Sequence, residues 1–249
     1  MMEKVILVTG ATSDLGMEYI RKNIGLYDKV IAQYCHENEQ FVQLLQEAKE
    51  VYEDRVIAVQ ADFSKMQSVR ELIDRIQETG YVPTHILHLV SPMAKSVKFH
   101  KSDVDEYRQM MQVSVYSIIE ILKAFLPAMQ KQKFGRIVFM LSAYVKIPDP
   151  KYAAPYVTAK YALLGLMRDI AAEYASKGIT VNGISPQMIE TKFLKDVPEL
   201  ILESKRQAGP LQRLLQKEDI LPVMELLLAD GAAAITGENL GITGGNYSL

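Results

Sequence analysis

Short runs of branched apolar residues alternate with longer amphipathic stretches along the whole chain, and this alternation restricts the fold more than any other feature. Residues 4–9 (KVILVT), 29–34 (KVIAQY), 55–61 (RVIAVQA), 85–90, 136–141, 179–184 and 239–243 read as strands. Their near-continuous hydrophobicity is that of strands covered on both faces. Between them, Phe41, Leu44, Leu45, Ala48 and Tyr52 recur at helical spacing, as do Met66, Val69, Leu72, Ile73 and Ile76, with Ser64 placed to cap the latter helix. Further helices are predicted over 15–25, 105–131, 154–176 and 217–229, with a break or kink expected at Pro127 near the end of the second of these. Strand–helix–strand order predicts a doubly wound α/β fold: a parallel sheet of about seven strands, helices on both faces, and a single domain over 1–249. In such sheets ligands bind beyond the carboxyl ends of the strands, where the strand order reverses.

Composition narrows the function. The 249 residues are 49% hydrophobic with a formal net charge of −2, and no block of five like charges occurs. That argues against nucleic-acid and polybasic membrane partners. No apolar run approaches the length of a membrane span, and the amino terminus runs straight into a strand pattern without a signal-peptide layout. Cys35 is the one cysteine, so a disulfide framework or thiolate zinc site within the chain is excluded, no metal is expected, and a reducing cytoplasm is the expected location.

Two places carry chemistry. The turn after the first strand, Gly10-Ala11-Thr12-Ser13-Asp14-Leu15-Gly16, offers glycines for a close backbone approach and a helix amino terminus for a pyrophosphate. Asp62, after the third strand, reads equally as an acceptor for an adenine amino group or as a capping carboxylate beside Ser64. The second strand ends at Tyr34 rather than an acid, followed by Cys35 and His36. The missing acid and the donor at His36 favour NADP(H) over NAD(H), although His36 reads equally as a solvated loop residue. At the other place, Tyr156 and Lys160 lie one helical turn apart on a common face. An ammonium beside a phenol is expected to lower the phenol's pKa and make Tyr156 a proton donor or base. Ser142, ending the fifth strand, is placed to hydrogen-bond the substrate oxygen. A Tyr–Lys pair at this spacing arises about once by chance in such a composition, so the residues alone leave the catalytic reading open.

Taken together, these segments resemble the short-chain dehydrogenase/reductase family almost end to end. Thr9–Gly16 resembles its Thr-Gly-x-x-x-Gly-x-Gly turn, Asp62-Phe63 its adenine-contacting acid, and Gly135–Val138 with Ser142 the strand leading to its catalytic serine. Tyr156-Val-Thr-Ala-Lys160 resembles its Tyr-x-x-x-Lys, the stretch from Val181 through Pro186 to Thr191 its nicotinamide-holding segment, and Ile235-Thr236-Gly237 with Thr243-Gly244-Gly245 its closing strand. The resemblance implies a Rossmann-type fold and an oxidoreductase that moves hydride between a nicotinamide cofactor and a carbonyl or alcohol. By it, Tyr156 is the acid/base, Lys160 lowers its pKa and holds the nicotinamide ribose, Ser142 positions substrate, and Ser114 stands where the family has a helix asparagine that retains a relay water. The implied cofactor set is Gly10, Thr12, Ser13, Asp14, Leu15 and Gly16 at the turn, Tyr34, His36, Asp62, Phe63 and Val90 at the strand ends, and Pro186, Ile189 and Thr191 after the sixth strand, with Tyr156 and Lys160.

The chain departs from the family at several positions. Asp14 replaces the middle glycine, reading as a helix cap or as a carboxylate near the pyrophosphate. His88-Leu89-Val90-Ser91 replaces Asn-Asn-Ala-Gly, with His88 read as a packed or hydrogen-bonded histidine. Pro186-Gln187 replaces Pro-Gly, and one extra residue between serine and tyrosine suggests an insertion at Pro148-Asp149-Pro150. The leading expectation is an NADP(H)-preferring carbonyl reductase similar to the family's 3-oxoacyl thioester reductases. The alternative is an SDR-like nucleotide-binding scaffold or sensor with impaired catalysis. Arg136 and Lys177 read either as a face for an acyl-carrier protein or as ordinary surface charge. The segment 192–209 is expected to cover the substrate. Met110, Met111, Ile118, Ile119, Phe125, Leu163, Leu166, Met167 and Ile170 read equally as core packing within one subunit or, if outward-facing, as the face of a homo-oligomer, a dimer or tetramer.

Overall fold

The strands assemble as the alternation requires. The computed structural model describes residues 3–146, 151–194 and 197–246. The insertion at Pro148-Asp149-Pro150 lies outside the described residues. Seven strands form one all-parallel sheet in the order β3-β2-β1-β4-β5-β6-β7. They are β1 (Val5–Thr9), β2 (Lys29–Tyr34), β3 (Val56–Gln60), β4 (His85–His88), β5 (Gly135–Met140), β6 (Ile179–Pro186) and β7 (Asn239–Ile242). The order reverses between β1 and β4, so the crevice expected of such a sheet opens there.

Strand side chains alternate between two cores. Leu7, Ile31, Ile86, Ile137 and Phe139 face α3 (Met66–Glu78), α5 (Ser117–Gln132) and α6 (Ala154–Tyr174). Ile6, Val8, Val30, Leu87, Val138 and Ile184 face α1 (Asp14–Asn23), α2 (Glu39–Tyr52) and α8 (Lys217–Leu228). Two buried faces leave each strand little room for polar residues, and burying each Leu, Ile or Val side chain contributes about 1.5–3 kcal/mol. The segment expected as one helix over 105–131 is α4 (Val104–Met111), a π turn (Gln112–Tyr116) and α5 in unbroken succession. This stretch, Val104–Gln132, is long and apolar enough to cross a membrane, but half of its most apolar window is buried in the protein core.

Several expectations are corrected. Pro127 does not break α5, which continues to Gln132. Ser64 does not cap α3; Lys65 holds that position without a side-chain bond, and the Ser64 hydroxyl donates to Asp62 Oδ1 at 2.7 Å. Of the residues proposed as an outer face, Met110, Ile118, Phe125, Leu163, Met167 and Ile170 are buried, and Met111, Ile119 and Leu166 pack partly buried against the same core. Helix α7 (Glu199–Ala208) lies within the segment 192–209. Arg136 is 3% exposed at the amino end of the sheet. Its guanidinium donates to the carbonyls of Gly135 (2.8 Å), Gly178 (3.2 Å), Ala229 (3.2 Å) and Asp230 (3.0 Å) and stacks on Phe134. It cannot face a carrier protein; Lys177 remains exposed.

Candidate active site

At the carboxyl end of the sheet, Gln33, Thr9 and His88 sit side by side in register on β2, β1 and β4, all buried. A buried polar row must find partners, and these residues find them in the turns above. Gln33 Oε1 accepts from Gly10 N at 2.9 Å while its Nε2 donates to Ala61 O at 2.8 Å, fixing the glycine turn against the end of β3. His88 Nε2 lies 3.0 Å from Ser114 O, and Nδ1 lies 2.8 Å from Thr9 Oγ1. A carbonyl can only accept, so Nε2 carries the proton and Thr9 donates to Nδ1. Burial pushes the imidazole down to about 3, which keeps it neutral. His88 is therefore a packed, bonded histidine joining β1 to the π turn.

The turn itself is tight. Gly10 has φ +73°, and a Cβ there would meet Val90 Cγ2 at 3.3 Å; a Cβ on Gly16 would lie 2.7 Å from Gly10 O. Only glycine fits such a close packing of turn and helix start. Ser13 caps α1, its Oγ accepting from Gly16 N at 3.1 Å. Asp14 is therefore not the cap; its Oδ2 accepts from Lys192 N at 2.7 Å. Leu15 is buried, and Thr12 O accepts from Asn38 Nδ2 at 3.2 Å. The tight turn opening a helix fits a dinucleotide's pyrophosphate.

Around the turn, Tyr34 donates its hydroxyl to Glu37 Oε1 at 3.0 Å, and His36 is exposed. Asp62 accepts from Ser64 N and Oγ, and those bonds hold its carboxyl below the usual range. Phe63 buries its ring in the core. Pro186 ends β6, Ile189 bridges to Leu215, and Thr191 Oγ1 donates to Ile189 O at 3.3 Å.

Across the crevice, α6 starts at Ala154 with Pro155 in its first turn, where a fixed φ and a missing N–H are no cost. One turn on, Lys160 lies with Nζ 5.3 Å from the Tyr156 ring centroid and donates to Met140 O at 2.8 Å. Ser142, just past β5, accepts from Tyr144 N at 3.3 Å. Burial pushes the Tyr156 phenol up to about 12; a hydrogen bond with Ser142 pulls it back and Tyr144 pushes it further up. Lys160, 2% exposed, is pulled by burial from its ordinary 10.5 to about 7. This corrects the expected direction for Tyr156. Burial outweighs the hydrogen bond with Ser142, and the shift is upward. Ser114 lies buried in the π turn with no partner for its Oγ among the described residues. The π turn itself has no sequence signal, though widened turns of this kind cluster at functional sites. Tyr144, whose ring meets Tyr156 edge-on at 6.2 Å, was not singled out from sequence.

Comparison with known proteins gives the family. Residues 28–246 match the family model described as enoyl-(acyl carrier protein) reductase. The chain is 29% identical to the 3-oxoacyl-(acyl-carrier-protein) reductase FabG of Pseudomonas aeruginosa, covering 98% of this chain and 97% of that one. It is 28% identical to the acetoacetyl-CoA reductase of Rhizobium meliloti, covering 99% of each. The crystal structure of YwfH, an NADPH dependent reductase involved in bacilysin biosynthesis, shares the fold with a TM-score of 0.88 at 18% identity, covering 100% of both chains. The chain belongs to the short-chain dehydrogenase/reductase family and is an oxidoreductase that works between a carbonyl and an alcohol with a nicotinamide cofactor.

Proposed function

We propose that the chain, as a single domain over 1–249, reduces a small carbonyl compound of the 3-oxoacyl thioester class, with NADP(H) favoured over NAD(H). The observation that carries this reading is the meeting of the Tyr156 phenol with Ser142 and with Lys160, whose Nζ lies 5.3 Å from the Tyr156 ring, at the carboxyl end of the sheet. A phenol that holds its proton at neutral pH suits donation to a carbonyl oxygen. When bound, the nicotinamide supplies the hydride. Ser142 orients the carbonyl oxygen and supports charge as it develops there. Lys160 places an amine that gains and loses its proton near neutrality beside the phenol, and Ser114, whose hydroxyl has no partner among the described residues, is the further polar group of the centre. Gly10, Thr12, Ser13, Asp14, Leu15 and Gly16 form the pyrophosphate side, Tyr34, His36, Asp62, Phe63 and Val90 the adenosine side, and Pro186, Ile189 and Thr191 the nicotinamide side.

The NADP(H) preference rests on the non-acidic Tyr34 and the exposed His36; Glu37, three residues on, is engaged by the Tyr34 hydroxyl. A carrier protein bringing the acyl chain docks without Arg136. Val104, Tyr116 and Tyr161 are exposed on the two long helices and are the surface proposed for a homo-oligomer, and a cytoplasmic location goes with the reading. The test is stopped-flow reduction of a carbonyl panel, including a short 3-oxoacyl thioester, with NADPH and with NADH. Turnover of the thioester with a higher kcat/KM for NADPH is expected. Cofactor binding without turnover of any carbonyl overturns the catalytic reading, and a higher kcat/KM for NADH overturns the preference.

A further inference from the structure

Beyond Pro186 the chain leaves β6, which stands three places from β1 in the sheet. At about 4.8 Å per strand that is ~14 Å, and the six residues 187–192 reach at most ~20 Å. With Lys192 bonded to Asp14, the segment spans from the end of β6 to the start of α1 at the carboxyl edge of the sheet, which borders the crevice where such sheets hold nucleotides. Its near end is tied by Glu190 N to Leu215 O at 2.8 Å, Leu215 N to Met188 O at 3.1 Å, and Asn246 Nδ2 to Gln187 Oε1 at 3.1 Å. Its far end is tied by Lys192, whose N donates to Asp14 Oδ2 at 2.7 Å and whose Nζ donates to Gln40 Oε1 at 2.6 Å. Lys192 thus joins the start of α1 to the start of α2.

We infer that Asp14 is a positioning residue: a latch that fastens the 187–192 segment across the nucleotide crevice and sets how fast the cofactor exchanges. The inference rests on the reading that the turn 10–16 holds the dinucleotide. Ser13 already caps α1, so the Asp14 carboxylate is not needed there and is committed instead to the backbone N–H of Lys192, at the far end of the segment that leaves β6. A cofactor lying under the segment leaves only when that bond opens. The acceptor oxygen, more than the charge, is what the latch requires.

Two variants separate these attributes: Asp14→Ala removes the acceptor, whereas Asp14→Asn keeps an oxygen and removes the charge. The probes are amide hydrogen exchange at Lys192 in the free protein and the NADPH release rate, followed by its fluorescence after a chase. For Asp14→Ala, release ~10-fold faster and Lys192 exchange faster by a similar factor are expected, while Asp14→Asn stays within ~3-fold of the parent on both. Wild-type rates in Asp14→Ala overturn the latch, as does tighter cofactor binding in both variants, which would mean that Asp14 acts through charge alone. If the parent binds neither NADPH nor NADH, the dinucleotide reading falls and the exchange role falls with it. Lys192 exchange then still reports whether the bond itself exists.

Discussion

Two buried cations stand at opposite ends of the same sheet, and the protein treats them differently. At the amino end, Arg136 spends its guanidinium on the carbonyls of Gly135, Gly178, Ala229 and Asp230, with Phe134 beneath it. At the carboxyl end, Lys160 has the carbonyl of Met140 and the face of Tyr156. Both are almost wholly removed from solvent, at 3% and 2% exposure. A buried charge is tolerated when its donors are used. The guanidinium makes four hydrogen bonds and holds β5, the start of β6 and the end of α8 together. Among the described residues the Lys160 Nζ has one hydrogen bond, to Met140 O, and lies next to a phenol that can give up a proton. The first arrangement serves stability; on the function proposed above, the second keeps a group available for chemistry.

The largest expected effect lies at the second cation's neighbour. Tyr156→Phe keeps the ring and its packing but removes the proton, and turnover should fall ~10²–10⁴-fold with cofactor affinity measured by fluorescence little changed. Parent-like turnover would remove Tyr156 from the reaction. Next comes the cost of the ammonium itself. Because Lys160 falls from 10.5 to about 7 on folding, its penalty is complete below pH 7. The penalty is relieved between pH 7 and 10.5, where the unfolded chain holds a proton that the folded chain does not. Lys160→Met should therefore be more stable than the parent at pH 6.5, by on the order of 4 kcal/mol, and the gap should close toward pH 10 while turnover is lost. A gap independent of pH in urea titrations would contradict that assignment.

At the other end, Arg136→Met should cost about 3 kcal/mol, because it strands buried carbonyls, and lower Tm by roughly 10 °C. Turnover per folded molecule should stay within about threefold of the parent, since the site is distant. A large loss of turnover without loss of Tm would erase the contrast between the two cations. The smallest effect concerns a property the two ends share. His85 near the base and His88 under the site are held neutral by burial, near 4 and 3. Stability is therefore intact above pH 6.5 and declines as pH falls toward 4, by about 1.4 kcal/mol per pH unit for each histidine. His85→Gln should roughly halve that slope in denaturant titrations at pH 6 and 5, and an unchanged slope would show that His85 is not buried neutral.

Much of this was legible in the residues, and the exceptions share a cause. The strands were readable because burial on both faces forces continuous branched apolar runs; β2 matches its expected span, 29–34, and the others differ by a residue or two at their ends. The glycine turn and the Tyr156–Lys160 pair were readable because each depends on a side chain, or on its absence, at a fixed spacing. The role of Arg136 was not, because its partners are backbone carbonyls, which no letter records. The Asp14 contact was missed for the same reason: its partner is the main-chain N–H of Lys192, 178 positions away. The π turn at Gln112–Tyr116 is a change of backbone hydrogen-bond partner within an ordinary apolar pattern. The direction of the Tyr156 shift depends on how deep the pair lies, and depth is set by packing across the whole domain rather than by a motif.

The contrast between the cations reduces to the state of one nitrogen. Lysine-¹⁵N labelling, with Lys160→Met to assign the resonance, allows Lys160 Nζ to be titrated directly by NMR in the cofactor-free protein. A midpoint near 7 is predicted. A midpoint at or above the ordinary value of about 10.4 would show an ammonium as well satisfied as the guanidinium at the base, and would contradict the account.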